Sequence, residues 1–251
     1  MRRYWLIFLL LPLLLASCAA PEAGRRSPGG GGFVSRSQKP HPLGHGPGPV
    51  GFRRVVIDAG HGGKDSGAVS RSTRQKEKDL ALDTAQRVRK LLEPKFKVAM
   101  IRSRDNFVEL DQRVAMASRA GDVLVSIHYN ASSPRLYGPE VYYWRVDSHG
   151  LATRLQRALY GVSGGGTNSR GLVRRRLRLT RNPTIPCVLV ECGYLSNAAE
   201  AKRISSPRYR QQLAEAIARA IEVQAAAGDR GTGPLPPPLN QPPSRGSDRR
   251  E

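Results

Sequence analysis

Cysteine is scarce in this chain of 251 residues: there are three, Cys18, Cys187 and Cys192. The last two stand five residues apart in CVLVEC. On a strand an odd separation sends side chains to opposite faces, so a bridge between them within one strand is excluded. No paired-cysteine zinc spacing is present either, which leaves two buried free thiols as the expectation. Acidic residues are also few, 20 against 41 Lys and Arg, for a formal net charge of +21. The stretch 54–224 alone carries 30 basic and 16 acidic residues, so the excess lies on the folded part and not on a tail. A field of that sign draws anionic partners. Aromatic residues make up only 6% of the chain, and no compact basic motif interleaves them to stack on bases. Nucleic acid therefore lacks a reader, whereas an anionic wall polymer or lipid surface needs only the charge. A long apolar run is missing too. The run from Tyr4 to Leu15 falls short of the roughly 20 apolar residues that span a bilayer. No internal repeat occurs, which excludes a solenoid or propeller.

What the N-terminus does have is the layout of an export signal. Arg2 and Arg3 precede the apolar run, and small residues follow it in LASC. Leu15, Ala16, Ser17 and Cys18 resemble a bacterial lipobox, which implies cleavage of a signal peptide over 1–17 and acylation of Cys18. The expected location is the cell envelope, lipid-anchored to a membrane. Ala19 after the cysteine, in place of aspartate, favours the outer membrane if the host has two. Export argues against nucleic acid a second time.

Residues 18–52 are rich in Gly, Pro, Ser and Arg and read as a flexible tether, since they cannot bury enough apolar surface to offset chain entropy. Residues 226–251, with GPLPPPLNQPP, read as a Pro-rich disordered tail. Between them, over 53–225, strand and helix patterns alternate. Strands are expected at 54–58, 97–101, 122–128, 139–144, 177–181 and 187–191. Ala81, Ala85, Val88 and Leu92 form one stripe of a helix over 76–92. Further helices are expected over 110–120, through Leu151, Leu155 and Leu159, and over 207–224. The alternation predicts a single α/β domain, with a mostly parallel central sheet covered by helices on both faces and disordered tails at both ends.

In such sheets ligands bind beyond the carboxyl ends of the strands. His61 follows the first strand in VVIDAGHGG, His128 ends the third, and Glu191 ends the strand from Cys187. A lone histidine at a strand end is commonly satisfied by a backbone hydrogen bond. Three metal-competent residues, each after an apolar run, together mark a site. Glu77 begins the first long helix, where the positive helix end favours an ionised carboxylate by about 0.3–1 kcal/mol. Spacing alone leaves it open whether Glu77 joins the site or is a plain N-terminal helix charge, with Asp79 as its rival.

The motifs VVIDAGHGGKDSGA, EKDLALDTA, DVLVSIHYNAS and IPCVLVECGYLSNAAEA resemble, in order, those of the type-3 family of zinc-dependent N-acetylmuramoyl-L-alanine amidases. The resemblance runs from about Arg54 to Gln224. It implies that His61, Glu77 and His128 bind one zinc ion with a position left for water, and that Glu191 is the catalytic acid–base. Asn130 in SIHYN is a candidate for shaping the substrate site. The implied substrate is the amide joining the lactyl group of N-acetylmuramic acid to L-alanine in peptidoglycan. Zinc with three protein ligands brings bound water to a pKa near 7 and polarises a carbonyl; a free carboxylate then moves the proton.

Tyr194 stands where many relatives have phenylalanine, and Cys192 where a small or branched apolar residue is usual. RRRLRLTRNP, residues 174–183, is unusually basic; it is either a solvated charged edge strand or, with Arg181 as a candidate substrate contact, a surface that steers anionic polymers. Some relatives carry an inserted autoinhibitory helix after the second histidine. Here ASSPRLYGPE leaves no room for one, so activity without an activator is expected, from a monomer. Two other readings stay open: a zinc peptidase cutting another wall peptide bond, and a non-catalytic wall-binding lipoprotein.

Overall fold

The computed structural model describes residues 43–245. The expected signal peptide over 1–17, the acylated Cys18, the tether up to residue 42 and the last six residues lie outside the described residues. Among the described residues, no helix is long and apolar enough to cross a membrane.

Six strands make one sheet: β1 (Arg54–Ala59), β2 (Lys97–Met100), β3 (Val123–Asn130), β4 (Glu140–Tyr143), β5 (Leu172–Arg174) and β6 (Cys187–Tyr194), in the order β2-β1-β3-β6-β4-β5. The pairs β1–β2, β1–β3, β3–β6 and β4–β5 are parallel; only β4–β6 is antiparallel. The α/β expectation thus holds, with one reversal of strand direction. Central β1, β3 and β6 are buried along nearly their whole length, as β-branched and aliphatic runs covered on both faces should be.

Helices α1 (Glu77–Leu92), α3 (His149–Val162) and α6 (Pro207–Ala227) cover one face. Leu80, Ala85, Val88, Leu155, Leu159, Leu213 and Ile217 there meet Val55, Ile57, Val125 and Val190. On the other face α2 (Leu110–Ala120) and the short α4 (Arg178–Arg181) pack Ala117 and Leu179 against Val56, Leu124 and Cys187. Cys187 and Cys192 are buried and on opposite faces, in line with their odd spacing, and do not bridge each other. α1 has no side-chain cap. Its ends are instead favoured by Glu77 and Asp79 in the first turn and Arg89 and Lys90 in the last, charges that complement the helix dipole.

The strand expected at 177–181 is corrected: that stretch is α4, and the strand lies earlier, at β5. Leu–Arg alternation over so few residues suits one helical turn as well as a strand. The Thr180 hydroxyl decides it by accepting from Leu177 N at 3.1 Å and donating to Arg175 O at 2.8 Å. Helix α5 (Ala198–Ile204) was not anticipated. Its signal is the asparagine in LSNAAEA, since Asn197 Oδ1 accepts from Ala199 N and Glu200 N, both at 3.1 Å.

Both flanks of the domain make more contacts than composition suggests. Phe52 is buried, and Gly51 N donates to Ala225 O at 2.7 Å while Gly48 N donates to Asp229 Oδ2 at 2.7 Å. Beyond α6 the chain forms no helix or strand up to residue 245. Its carbonyls nevertheless accept from a row of arginines: Arg154 to Gly228 (2.8 Å), Arg157 to Gly231 (2.8 Å), Arg174 to Pro237 (2.6 Å), and Arg181 to Gln241. An extended Pro-rich segment has no ladder to satisfy its carbonyls, so surface guanidinium groups hold it at intervals. Leu155→Ala, within the larger core, is expected to lower the unfolding free energy by about 2–5 kcal/mol in a denaturant titration.

Candidate metal centre

The site begins with how β1 ends. After Ala59 the chain must turn at once, and His61 does so with φ 60°, a left-handed conformation that costs a non-glycine residue about 1–2 kcal/mol. Two buried arginines hold it there. Arg113 of α2 donates to His61 O at 2.6 Å and Ala59 O at 2.9 Å, and its Nη1 also meets Asp58 Oδ1 at 2.6 Å. Arg102, just past β2, donates to Ala59 O (2.8 Å), Gly60 O (2.7 Å) and Lys78 O (2.8 Å). Ser126 completes the Asp58 contact at 2.7 Å. Carbonyls that a tight turn would leave unsatisfied are thereby paired.

With the turn fixed, three donors converge. Nitrogen and oxygen atoms of His61, Glu77 and His128 all lie within 4.8 Å of one another. Glu77 Oε1 is 3.0 Å from His61 Nε2 and 3.0 Å from His128 Nδ1, and accepts from Tyr129 N at 3.1 Å. Its other oxygen accepts from Ala68 N at 2.9 Å. Burial pushes the Glu77 carboxyl up, but the two imidazoles hydrogen-bonded to it outweigh burial and hold it well below the usual carboxylate range. For His61, burial pulls the imidazole down, and the carboxylates of Glu77 and Asp65 more than reverse this.

Glycine is required twice. A Cβ on Gly60 would lie 2.3 Å from the His128 ring, and one on Gly67, at φ 60°, would lie 2.6 Å from both Glu77 Oε2 and His61 Cδ2. Backbone at both positions presses against the donor group, so neither tolerates a side chain. The choice between Glu77 and Asp79, open in the sequence, falls to Glu77.

The strand register places the next carboxylate. His128 on β3 pairs with Glu191 on β6, and Glu191 pairs in turn with Glu140 on β4. Registered neighbours point to the same face at one strand spacing, about 4.8 Å. Half-buried Glu191 therefore stands beside His128, outside the three-donor group. Asn130 donates to Glu140 Oε2 at 3.2 Å and so belongs to the wall next to Glu191. Arg181 is not brought to the site. It sits on α4, before the amino end of β6, and donates to the tail.

Several participants were not singled out in the sequence. Asp65 accepts from His61 Nδ1 at 2.8 Å, which orients the ring and turns Nε2 toward Glu77; its signal is an acid four residues on in the same glycine-rich loop. Arg113 lies within the apolar stripe of α2, where a cation needs a buried partner. Glu140 opens the apolar EVYY strand and is fully buried. It accepts from Tyr142 OH, Tyr194 OH and Arg170 N. Burial raises its carboxyl, and these donors bring it below the ordinary value. The Tyr194 hydroxyl, the departure noted above, thus has a partner in the site wall.

An α/β domain with a three-donor group at the carboxyl ends of parallel strands is a fold and site of a recognisable class. The family model described as N-acetylmuramoyl-L-alanine amidase, Amidase_3, matches residues 55–223, and the chain belongs to that family. It is 37% identical over 180 residues to protein YqiI of Bacillus subtilis, covering 69% of this chain and 85% of that one. It is 34% identical over 172 residues to the probable cell wall amidase LytH of Staphylococcus epidermidis, covering 67% of this chain but only 57% of LytH. The structure resembles the catalytic domain of CwlV, an N-acetylmuramoyl-L-alanine amidase from Bacillus (Paenibacillus) polymyxa, with TM-score 0.63 and 40% identity, covering 67% of this chain and 96% of that domain.

Arg113→Ala removes one partner of a buried ion pair and leaves Asp58 with Ser126 alone. It is expected to cost about 3–5 kcal/mol of stability, measured by chemical denaturation.

Proposed function

We propose that this protein is a zinc-dependent N-acetylmuramoyl-L-alanine amidase that cuts the amide between the lactyl group of N-acetylmuramic acid and L-alanine in peptidoglycan. Family membership supports the reaction class. The observation that carries the mechanism is the convergence of His61, Glu77 and His128 with Glu191 in register beside them.

The donor set fits zinc: two imidazole nitrogens and one carboxylate oxygen, on backbone held by buried arginines and hydrogen-bonded loops. When bound by these three residues, the ion supplies Lewis acidity, polarising the amide carbonyl and making water acidic enough to attack near neutral pH. Glu77 brings one negative charge to the donor group, and Asp65 keeps the His61 ring turned toward it. Glu191 takes the proton of the attacking water and returns it to the departing alanine nitrogen, so one carboxylate serves both transfers. Because Glu191 must exchange that proton twice, it has to stay out of the donor group. Asn130 fixes the neighbouring wall through Glu140.

In this reading the chain is exported and lipid-anchored through Cys18, on the strength of the Leu15–Cys18 motif and the apolar run before it. Its substrate is then the polymer just outside the membrane that holds it. Residues 131–139, which join β3 to β4, form turns and no helix.

Glu191→Gln is expected to keep one zinc per chain by metal analysis while releasing no stem peptide from purified peptidoglycan; loss of both together would reassign Glu191 to metal binding. A soluble form beginning after Cys18 is expected to digest peptidoglycan with no added protein and to stop on chelation. Cleavage products should carry an intact amino-terminal L-alanine by mass spectrometry; any other new terminus would favour the peptidase reading.

A further inference from the structure

The wall beyond Glu191 contains a cation that the proposed mechanism does not use. Arg170 lies two residues before β5, the strand next to β4. Its backbone N–H donates to Glu140 Oε1 at 2.9 Å, and its Nε lies 3.4 Å from the same oxygen. Yet 56% of its side chain is exposed, while Glu140 is fully buried. An arginine that only neutralised Glu140 would be expected to lie down on it. Here the carboxylate is already served by Tyr142, Tyr194 and Asn130, and much of the guanidinium faces solvent at the rim.

That rim is held in place. Asn168 N donates to Tyr137 O at 3.0 Å, and Ser169 Oγ donates to Pro139 O at 2.9 Å, so the loop carrying Arg170 is tied to the β3–β4 connection. Reading across the sheet, His128, Glu191 and Glu140 occupy neighbouring strands in register, with Arg170 just past Glu140. At about 4.8 Å per strand, Arg170 starts roughly 10 Å from Glu191. An extended peptide advances about 3.4 Å per residue. About 10 Å is roughly three residues of extended peptide, and the Arg170 side chain reaches back toward Glu140, so its fork meets the peptide at the second or third stem residue.

We propose that Arg170 is a specificity residue that binds the free α-carboxylate of the second stem-peptide residue, a D-glutamate joined through its side chain. This inference rests on the amidase reading above. Planar guanidinium matches a carboxylate with two parallel hydrogen bonds, and the exposed side chain on a tied loop presents that fork to solvent. Amidation of that carboxylate to D-isoglutamine removes the charge and one acceptor, so the two forms of the wall are distinguished at Arg170.

The test uses the zinc-loaded soluble chain and two muropeptides that differ only in a free or amidated α-carboxylate on the second residue. The native chain is expected to cleave the free form with a KM at least tenfold lower than the amidated form, at similar kcat. Arg170→Ala should raise KM about tenfold for the free form and less than twofold for the amidated one. Arg170→Lys should recover part of the preference, since charge remains and the fork is lost. Unchanged zinc content and unfolding midpoint separate this from misfolding; the Arg170 backbone N–H and both tyrosines still serve Glu140 in the variants. Native cleavage of both muropeptides with equal KM, or equal losses on both in Arg170→Ala, overturns the inference and leaves the amidase reading standing. Cleavage of neither by the native chain overturns both.

Discussion

A carboxylate taken out of water costs several kcal/mol unless charge and hydrogen bonds replace its hydration, and Glu77 is only 5% exposed. Four groups surround it: the imidazoles of His61 and His128 and the backbone N–H groups of Ala68 and Tyr129. His61 and Ala68 lie on the one loop that joins β1 to α1, and His128 and Tyr129 lie at the end of β3. One buried charge at the start of α1 therefore ties that loop to a strand end distant in sequence. If either of them shifts, the charge loses a partner, so the donor group and the local fold are stabilised by the same contacts. The steric closeness of Gly60 and Gly67 follows from it, because the backbone has to approach near enough to supply those partners.

Behind this lies a second layer of opposite sign. Arg102 and Arg113 bring two positive charges into the protein and spend their donors mainly on backbone carbonyls, those of residues 59–61 among them. Only Arg113 has a carboxylate, Asp58, in direct contact. Guanidinium is suited to this because its five donors fan out in a plane and reach several carbonyls at once. The left-handed turn at His61 is then stabilised from outside the donor group, and the ring need not move to satisfy its own backbone. Asp65 completes the support from the solvent side.

Much of this was legible in the sequence, for physical reasons that differ by residue. His61, His128 and Glu191 each interrupt an apolar run at a strand end, where a polar side chain demands an explanation. Glu77 was half legible, since a helix N-terminus favours any acid and Asp79 satisfied the same rule. The resemblance, and then the geometry, separated them. Arg102, Arg113 and Asp58 were hidden because their roles depend on which strand ends lie together, which periodicity does not encode. Residues 177–181 misled because alternation over five residues cannot distinguish a strand from a single helical turn, and the deciding hydroxyl of Thr180 acts through a local hydrogen bond. The contacts of residues 43–52 and 229–245 were hidden for another reason: composition measures how much apolar surface a segment can bury, not how many carbonyls it can offer to arginines already on the surface.

The reversal of β4 has the largest consequence for the site. In a wholly parallel sheet the strand beside β6 would bring its last residues to the carboxyl-end crevice. Running antiparallel, β4 brings its first, so Glu140 arrives opposite Glu191 and the approach from the β3–β4 connection lies along the crevice rim. β5 is parallel to β4, so its start, and Arg170 before it, falls at the same edge. The sheet thus divides the crevice by strand direction. On the β1–β3–β6 side, strand ends deliver the metal-competent donors and Glu191; on the β4–β5 side, strand beginnings deliver a buried carboxylate with its tyrosines and an exposed arginine. On the proposed reading, a substrate lying across strands in register has its reacting bond on the first side and its peptide on the second, and the direction of β4 is what separates the two.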